Sequence, residues 1–197
     1  MIIAQYCLFF AFHLPCTILL KPKINGERYI PQKPFIIAAN HPSKIDPFLL
    51  CLLPFTAVRQ LLPVYFLTSV HYYGRWYLRL ILKLLGCYPV AKRAWTLDDY
   101  LSTSVKKVEA GKVIMFFPEG KVIKKGKNEK PRPGIGYLIE QTNKPILPLH
   151  INWETTNSSF IKRPVLTFGK PFIVDTTKSK IVYEDIAVEV MNKIYSI

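Results

Sequence analysis

The feature that most constrains this chain is a pair of short, continuous apolar runs, each ending in a residue group suited to chemistry. Pro34-Phe35-Ile36-Ile37-Ala38-Ala39 runs into Asn40-His41-Pro42, and Val113-Ile114-Met115-Phe116-Phe117 runs into Pro118-Glu119-Gly120. Neither run alternates with polar residues, which suits strands covered on both faces rather than half-solvated ones. Such strands need helices on both sides, and helical patterns occur between the runs. Thr96 and Asp99 have capping-box spacing before Leu97, Leu101, Val105 and Val108, and Gly111 closes that segment. Further helices are expected over 47–53, with Asp46 at the N-cap and Pro47 at the first helical position, and over 76–85, 134–141 and 183–194. Strands are expected at 88–90, 145–151 and 164–169. The alternation predicts an α/β fold: a single domain with a mixed, largely buried central sheet flanked by helices.

In a sheet of that kind, sites gather at the carboxyl ends of the strands. His41 and Glu119 both directly follow predicted strands. His41 and Asp46, five residues apart, would lie about 140° apart on a regular helix and could not share a face. A strand-to-helix loop over 41–45 instead lets the carboxylate reach an imidazole nitrogen, where it would fix the tautomer and stabilise the imidazolium. No strong serine or cysteine nucleophile accompanies the pair, and Ser43 suits a turn. A His–Asp dyad without a covalent nucleophile points to direct attack by a substrate hydroxyl. Spacing alone equally allows a plain helix-capping Asp46 beside a turn histidine.

Charge and hydropathy narrow the partners. The 197 residues carry 27 Lys and Arg against 13 Asp and Glu, a formal net charge of +14, which favours anionic partners. No acidic residue lies between Asp46 and Asp98, while Arg59, Arg75, Arg79, Lys83, Lys92 and Arg93 fall there among Leu, Ile, Trp and Tyr. That mixture suits a surface dipping into anionic lipid headgroups, or a covered helix whose cations snorkel to water. No nucleic-acid-binding signature is present, and nucleic acid is not expected as a partner. Cys7, Cys16, Cys51 and Cys87 form no Cys-x-x-Cys pair, so they read as small core residues in a reducing compartment; no metal site and no redox cofactor is implied.

Residues 1–20 carry no charge, and Lys21 and Lys23 follow. A signal peptide lacks its basic n-region here, and a spanning helix is interrupted by Gln5, His13 and Pro15. An interfacial anchor over 1–21, ahead of a catalytic domain over 22–197, is the reading adopted, with a core-covering helix as its alternative. It places the protein at a membrane, on the cytoplasmic face.

Asn40-His41-Pro42-Ser43-Lys44-Ile45-Asp46 resembles the His-x-x-x-x-Asp block of the glycerolipid acyltransferase family, whose best-known members acylate 1-acylglycerol-3-phosphate. Gly86-Cys87-Tyr88-Pro89-Val90-Ala91-Lys92 resembles its second block, Phe117-Pro118-Glu119-Gly120 its third, and Pro145-Ile146-Leu147-Pro148-Leu149 its fourth, all in the family's order. Phe168-Gly169-Lys170-Pro171 resembles its late strand and turn, so the likeness runs over about residues 22–172. It implies an acyl transfer from acyl-CoA or acyl-carrier protein to the free hydroxyl of a lysophospholipid, foremost 1-acylglycerol-3-phosphate, giving phosphatidate. His41 would be general base and Asp46 its orienter. Glu119 and Gly120 would shape the acceptor site, Glu119 contacting the glycerol moiety, and Lys92 or Arg93 would hold its phosphate.

Two departures bear on the acceptor. The third block continues with Lys121-Val122-Ile123 where the family has threonine and arginine, and the second ends in Lys92 rather than arginine. Lys121, Lys124 or Lys125 would then supply charge, as a point cation without arginine's two-pronged fork. The run from Lys121 to Arg132 also suits a solvated loop. The alternatives are another acceptor (glycerol-3-phosphate, another lysophospholipid or a lyso-aminolipid), a thioester hydrolase using water, and a basic membrane-binding module without catalysis.

Overall fold

In the computed structural model, the described residues are 2–90, 96–123, 129–155, 162–176 and 182–197. Its strands are β1 (Lys23–Asn25), β2 (Ile36–Ala39), β3 (Val64–Ser69), β4 (Cys87–Val90), β5 (Val113–Phe116), β6 (Ile146–Glu154) and β7 (Arg163–Phe168). Its helices are α1 (Ile2–Leu20), α2 (Phe55–Leu61), α3 (Val70–Tyr73), α4 (Trp76–Leu84), α5 (Leu97–Glu109), α6 (Gly134–Thr142) and α7 (Tyr183–Tyr195). Short 3-10 turns lie at Glu27–Tyr29 and Asp46–Leu52.

The strands form one sheet in the order β1-β7-β6-β2-β5-β3-β4. All neighbours are parallel except β6 and β7, which run antiparallel, so the sheet is mixed, as expected. All four residues of β2 are buried, and they divide by pleat. Ile37 and Ala39 pack with the 3-10 turn at 46–52, α2 and Phe9 of α1, whereas Ile36 and Ala38 pack with α5, α6 and α7. Two cores on opposite faces of one sheet explain why the central strands read as unbroken apolar runs.

Local chemistry accounts for some of the element ends. Asp99 N–H donates to Thr96 Oγ1 at 3.1 Å, capping α5 as anticipated, although the Asp99 carboxylate accepts from the Thr96 hydroxyl rather than from its backbone. Asn143 ends α6 in the left-handed region. The expected helix over 47–53 is a 3-10 turn instead, capped by Ile45, with Asp46 as its first residue. Pro47 is its second residue and Pro54 lies just beyond Leu53, so the segment is bounded by two residues that lack a backbone N–H. Strands β1 and β3 and helices α2 and α3 had no counterpart in the sequence-based expectation.

Helix α1 runs unbroken through Pro15. It is long and apolar enough to cross a membrane, with a mean hydropathy of 1.8. Its polar residues nevertheless face the domain. Gln5 Nε2 donates to Val64 O (2.7 Å) and Leu85 O (3.0 Å), while Gln5 Oε1 accepts from Val64 N–H (3.2 Å). His13 Nδ1 lies 2.8 Å from Cys51 O. Gly86, at φ +84°, leaves room for the Gln5 amide: a Cβ there would stand 2.4 Å from Gln5 Nε2. The opposite flank shows Phe10, Leu14 and Ile18 to solvent.

Candidate active site

Strands β2 and β5 are neighbours in parallel register, with Ala38 opposite Phe116. His41 stands three residues past Ala38 and Glu119 three past Phe116, so equal offsets bring the two segments together at one edge of the sheet. His41 backbone N–H donates to Glu119 Oε2 at 2.7 Å. The imidazole stacks on Phe117, centroids 4.1 Å apart and planes 20° from parallel. Ile123 N–H donates to His41 O at 2.9 Å, tying the segment after the Gly120 turn back to the same residue.

His41 Nδ1 lies 2.8 Å from Asp46 Oδ2, so the loop over 41–45 does fold the chain back. The Asp46 side chain is fully buried, while the His41 side chain keeps 16 % of its surface open to solvent. Ser43 N–H also donates to Asp46 Oδ2, at 2.8 Å, and Asp46 Oδ1 has no hydrogen-bond partner among the described residues. Because a carboxylate only accepts, Nδ1 is the donor of this pair, and in the neutral imidazole the lone pair then sits on Nε2. Asp46 therefore spends its oxygen on the imidazole and the turn, rather than on the helix N-terminus that its sequence position suggested.

The third block forms a tight turn in which Gly120 N–H donates to Phe117 O at 2.9 Å. Gly120 has φ +67°, a conformation that favours glycine. The Arg132 side chain covers it: a Cβ on Gly120 would stand 2.7 Å from Arg132 Cδ and 2.8 Å from Nε. Arg132 N–H donates to Pro118 O at 2.8 Å, which brings the far end of the basic run to the site. Lys121 is directed elsewhere, into a 2.5 Å ion pair with Glu129 at an exposed position. Lys92, Arg93, Lys124 and Lys125 lie outside the described residues.

Glu119 is only 4 % exposed, and protein donors engage both of its oxygens, His41 N–H on Oε2 and Tyr195 O–H on Oε1 at 2.9 Å. It borders a cavity of about 330 Å³ together with Met191, Asn192 and Tyr195. Asn40 and Phe117 stood in the sequence motifs and Arg132 at the end of the basic run, but the sequence assigned no role at the site to any of them, nor to Tyr195. Asn40 carried a signal, as a polar residue placed directly after a buried strand; Tyr195 carried none, because its partner lies 76 residues away.

Residues 21–152 match the family model described as Acyltransferase. Over 127 residues the chain is 27% identical to a protein of Mycoplasma genitalium named probable 1-acyl-sn-glycerol-3-phosphate acyltransferase. That alignment takes in 64% of this chain and 47% of the relative, so the chain spans about half the length of the curated relative it matches. The crystal structure of the 1-acyl-sn-glycerophosphate acyltransferase PlsC from Thermotoga maritima superposes with a TM-score of 0.67 at 20% identity, covering 95% of this chain and 76% of that one, and so shares its fold. With the family model extending over two thirds of the sequence and spanning the segments that meet at His41, Asp46 and Glu119, the chain belongs to the Acyltransferase family.

Proposed function

We propose that the protein is a membrane-surface O-acyltransferase that moves a fatty acyl chain from acyl-CoA or acyl-carrier protein to the free hydroxyl of a lysophospholipid, foremost 1-acylglycerol-3-phosphate, with phosphatidate as product. The observation that carries this reading is the His41 Nδ1–Asp46 Oδ2 contact of 2.8 Å beside the end of β2, which leaves Nε2 as the basic atom. Nε2 takes the proton of the acceptor hydroxyl as its oxygen bonds to the thioester carbonyl carbon. The tetrahedral intermediate then collapses, the carbon–sulfur bond breaks, and the leaving sulfur receives the proton from the imidazolium. Asp46 holds the ring and balances its transient charge. No covalent acyl-enzyme is required, and no cofactor beyond the acyl thioester.

On this reading residues 22–197 form the catalytic domain and residues 1–21 the membrane segment, on the cytoplasmic face. Support for lipid contact comes from two exposed surfaces, the outer flank of α1 and helix α4, none of whose residues is buried. Trp76 of α4 is 84 % exposed, and Arg75, Arg79 and Lys83 accompany it. Bulky apolar residues interleaved with cations suit an anionic interface. Gly120 lies under Arg132 while Lys121 is paired to Glu129, an arrangement that also keeps open the same chemistry on another phosphorylated acceptor.

The test is thiol release from acyl-CoA and, separately, from acyl-carrier protein, with and without lysophosphatidate in anionic vesicles. Release that requires lysophosphatidate, yields phosphatidate and disappears in His41→Ala supports the reading. Release without an acceptor indicates a hydrolase. Release with glycerol-3-phosphate or a different lysolipid alone retains the mechanism and changes the substrate, and no release across the panel overturns it in favour of a non-catalytic membrane module.

A further inference from the structure

Glu119 has a role besides any contact with an acceptor, since each of its oxygens accepts a hydrogen bond from within the protein. Its Oε2 fixes the backbone of His41, the residue whose ring must be aimed. A glutamate side chain has three rotatable bonds, so one hydrogen bond alone leaves the carboxylate free to swing about that contact. The second bond removes that freedom, and it comes from the far end of the chain: Tyr195, in the last turn of α7, donates its hydroxyl to Oε1 at 2.9 Å. Helix α7 is itself anchored, with Ile186, Val190 and Ile194 in the core shared by β2 and α6. The Tyr195 ring meets His150 of β6 edge-on, with centroids 5.5 Å apart.

We propose that Tyr195 is a positioning residue for His41, acting through Glu119: its hydroxyl locks the carboxylate so that Oε2 holds the His41 amide, and with it the imidazole, in the orientation that pairs Nδ1 with Asp46. The proposal rests on the acyl-transfer reading for its kinetic consequence, but the geometry stands without it. Partial burial of the Tyr195 hydroxyl and its bond to Glu119 push it up to about 12, so it stays a donor throughout the neutral range. Tyr195 is also 52 % exposed, so its ring contributes little to the core and removing the hydroxyl tests the hydrogen bond rather than the packing.

The experiment is Tyr195→Phe in the full chain, read in two ways. Misaiming a general base by a fraction of an ångström lowers turnover more than binding, so kcat for the lysolipid should fall about tenfold with KM for acceptor and donor unchanged. The loss should also be non-additive with Glu119→Gln, the double variant being no slower than the slower single one. The second reading needs no activity: amide exchange at His41 should quicken about tenfold in Tyr195→Phe, while amides elsewhere in β2 and in α7 keep their wild-type rates. An unchanged His41 exchange rate overturns the proposal whether or not the protein transfers acyl groups. Additive kinetic losses, or a general rise in exchange along α7, show Tyr195 to be ordinary helix packing and overturn it too. A wild-type protein that acylates no acceptor, yet shows the selective change at His41, refutes the acyl-transfer reading and leaves the positioning role in place.

Discussion

Asn40 carries the β2–β6 ladder past the end of β2 by pairing its side-chain amide with both backbone groups of Ile151: Nδ2 donates to Ile151 O at 2.9 Å and Oδ1 accepts from Ile151 N–H at 2.7 Å. Asn40 precedes His41, so the strand end is pinned one residue before the dyad. Asn40→Ala would leave a buried donor and a buried acceptor without partners, each costing about 1–3 kcal/mol. The expected loss of stability is about 2–6 kcal/mol, measured as a lowered urea midpoint at constant m-value. Asn40→Asp should be at least as harmful, because a carboxylate oxygen would face Ile151 O. A change below about 0.5 kcal/mol in Asn40→Ala would show that the pairing is replaced by solvent.

Asp46→Asn separates the catalytic reading of the dyad from a merely structural one. An amide keeps an oxygen for Ser43 N–H and His41 Nδ1, so the turn should survive with its melting temperature nearly unchanged. The charge that stabilises the imidazolium is lost, and kcat should fall on the order of 10²–10⁴-fold, comparable to the contribution of general base catalysis. If activity persists within a few-fold while the protein stays folded, Asp46 is only a turn residue.

The parts of this fold that were legible in the sequence share one property: their signal is local. The runs ending at Ala39 and Phe116 read as buried strands because two cores cover them, and the Thr96 cap stands three residues from its partner. The dyad was legible for the same reason, since five residues joined by a loop can meet. What was not legible depends on register and long-range closure. Strand β3 alternates buried and half-buried positions near the sheet edge, so its pattern is blurred. Gln5 looked like an interruption of an apolar helix, yet it is the group that docks α1 onto Val64, 59 residues away. Likewise Arg132 looked like one more cation in a solvated run, because nothing in the order of residues says that it returns to Gly120.

The exposed basic helix α4 predicts a salt-sensitive vesicle interaction. Reversing Arg75, Arg79 and Lys83 to Glu touches no buried residue of the helix, so the fold should be retained. Each cation near an anionic surface is worth about 1 kcal/mol, and losing three should weaken binding to phosphatidylserine vesicles by about a hundredfold at low salt. Co-sedimentation measures it, with near-ultraviolet circular dichroism as the folding control. Binding unaffected by the reversal would assign membrane contact to α1 alone.

Two partly buried thiols predict how stability responds to alkali. Burial pushes the thiols of Cys51 and Cys87 each up to about 12, Cys51 with a smaller contribution from neighbouring Cys16, against an ordinary value of 9.0. In the unfolded chain both thiols ionise near 9, whereas in the folded protein they stay protonated. The folded state therefore binds more protons in this window, and stability is full below about pH 9 and declines as pH rises towards 12. Tyr195, raised in the same direction, adds to the slope above pH 10. Replacing Cys51 and Cys87 with Ala should lower stability at pH 7 through lost packing but flatten its fall between pH 9 and 10.5, measured by urea unfolding across the series. The same protonation predicts reactivity: at pH 8 exposed Cys7 should alkylate with iodoacetamide, while Cys51 and Cys87 remain unmodified until urea unfolds the domain. Modification of Cys51 or Cys87 at the rate of Cys7 in the folded protein would mean that the thiols are open to solvent, and the alkaline slope would then have to come from elsewhere.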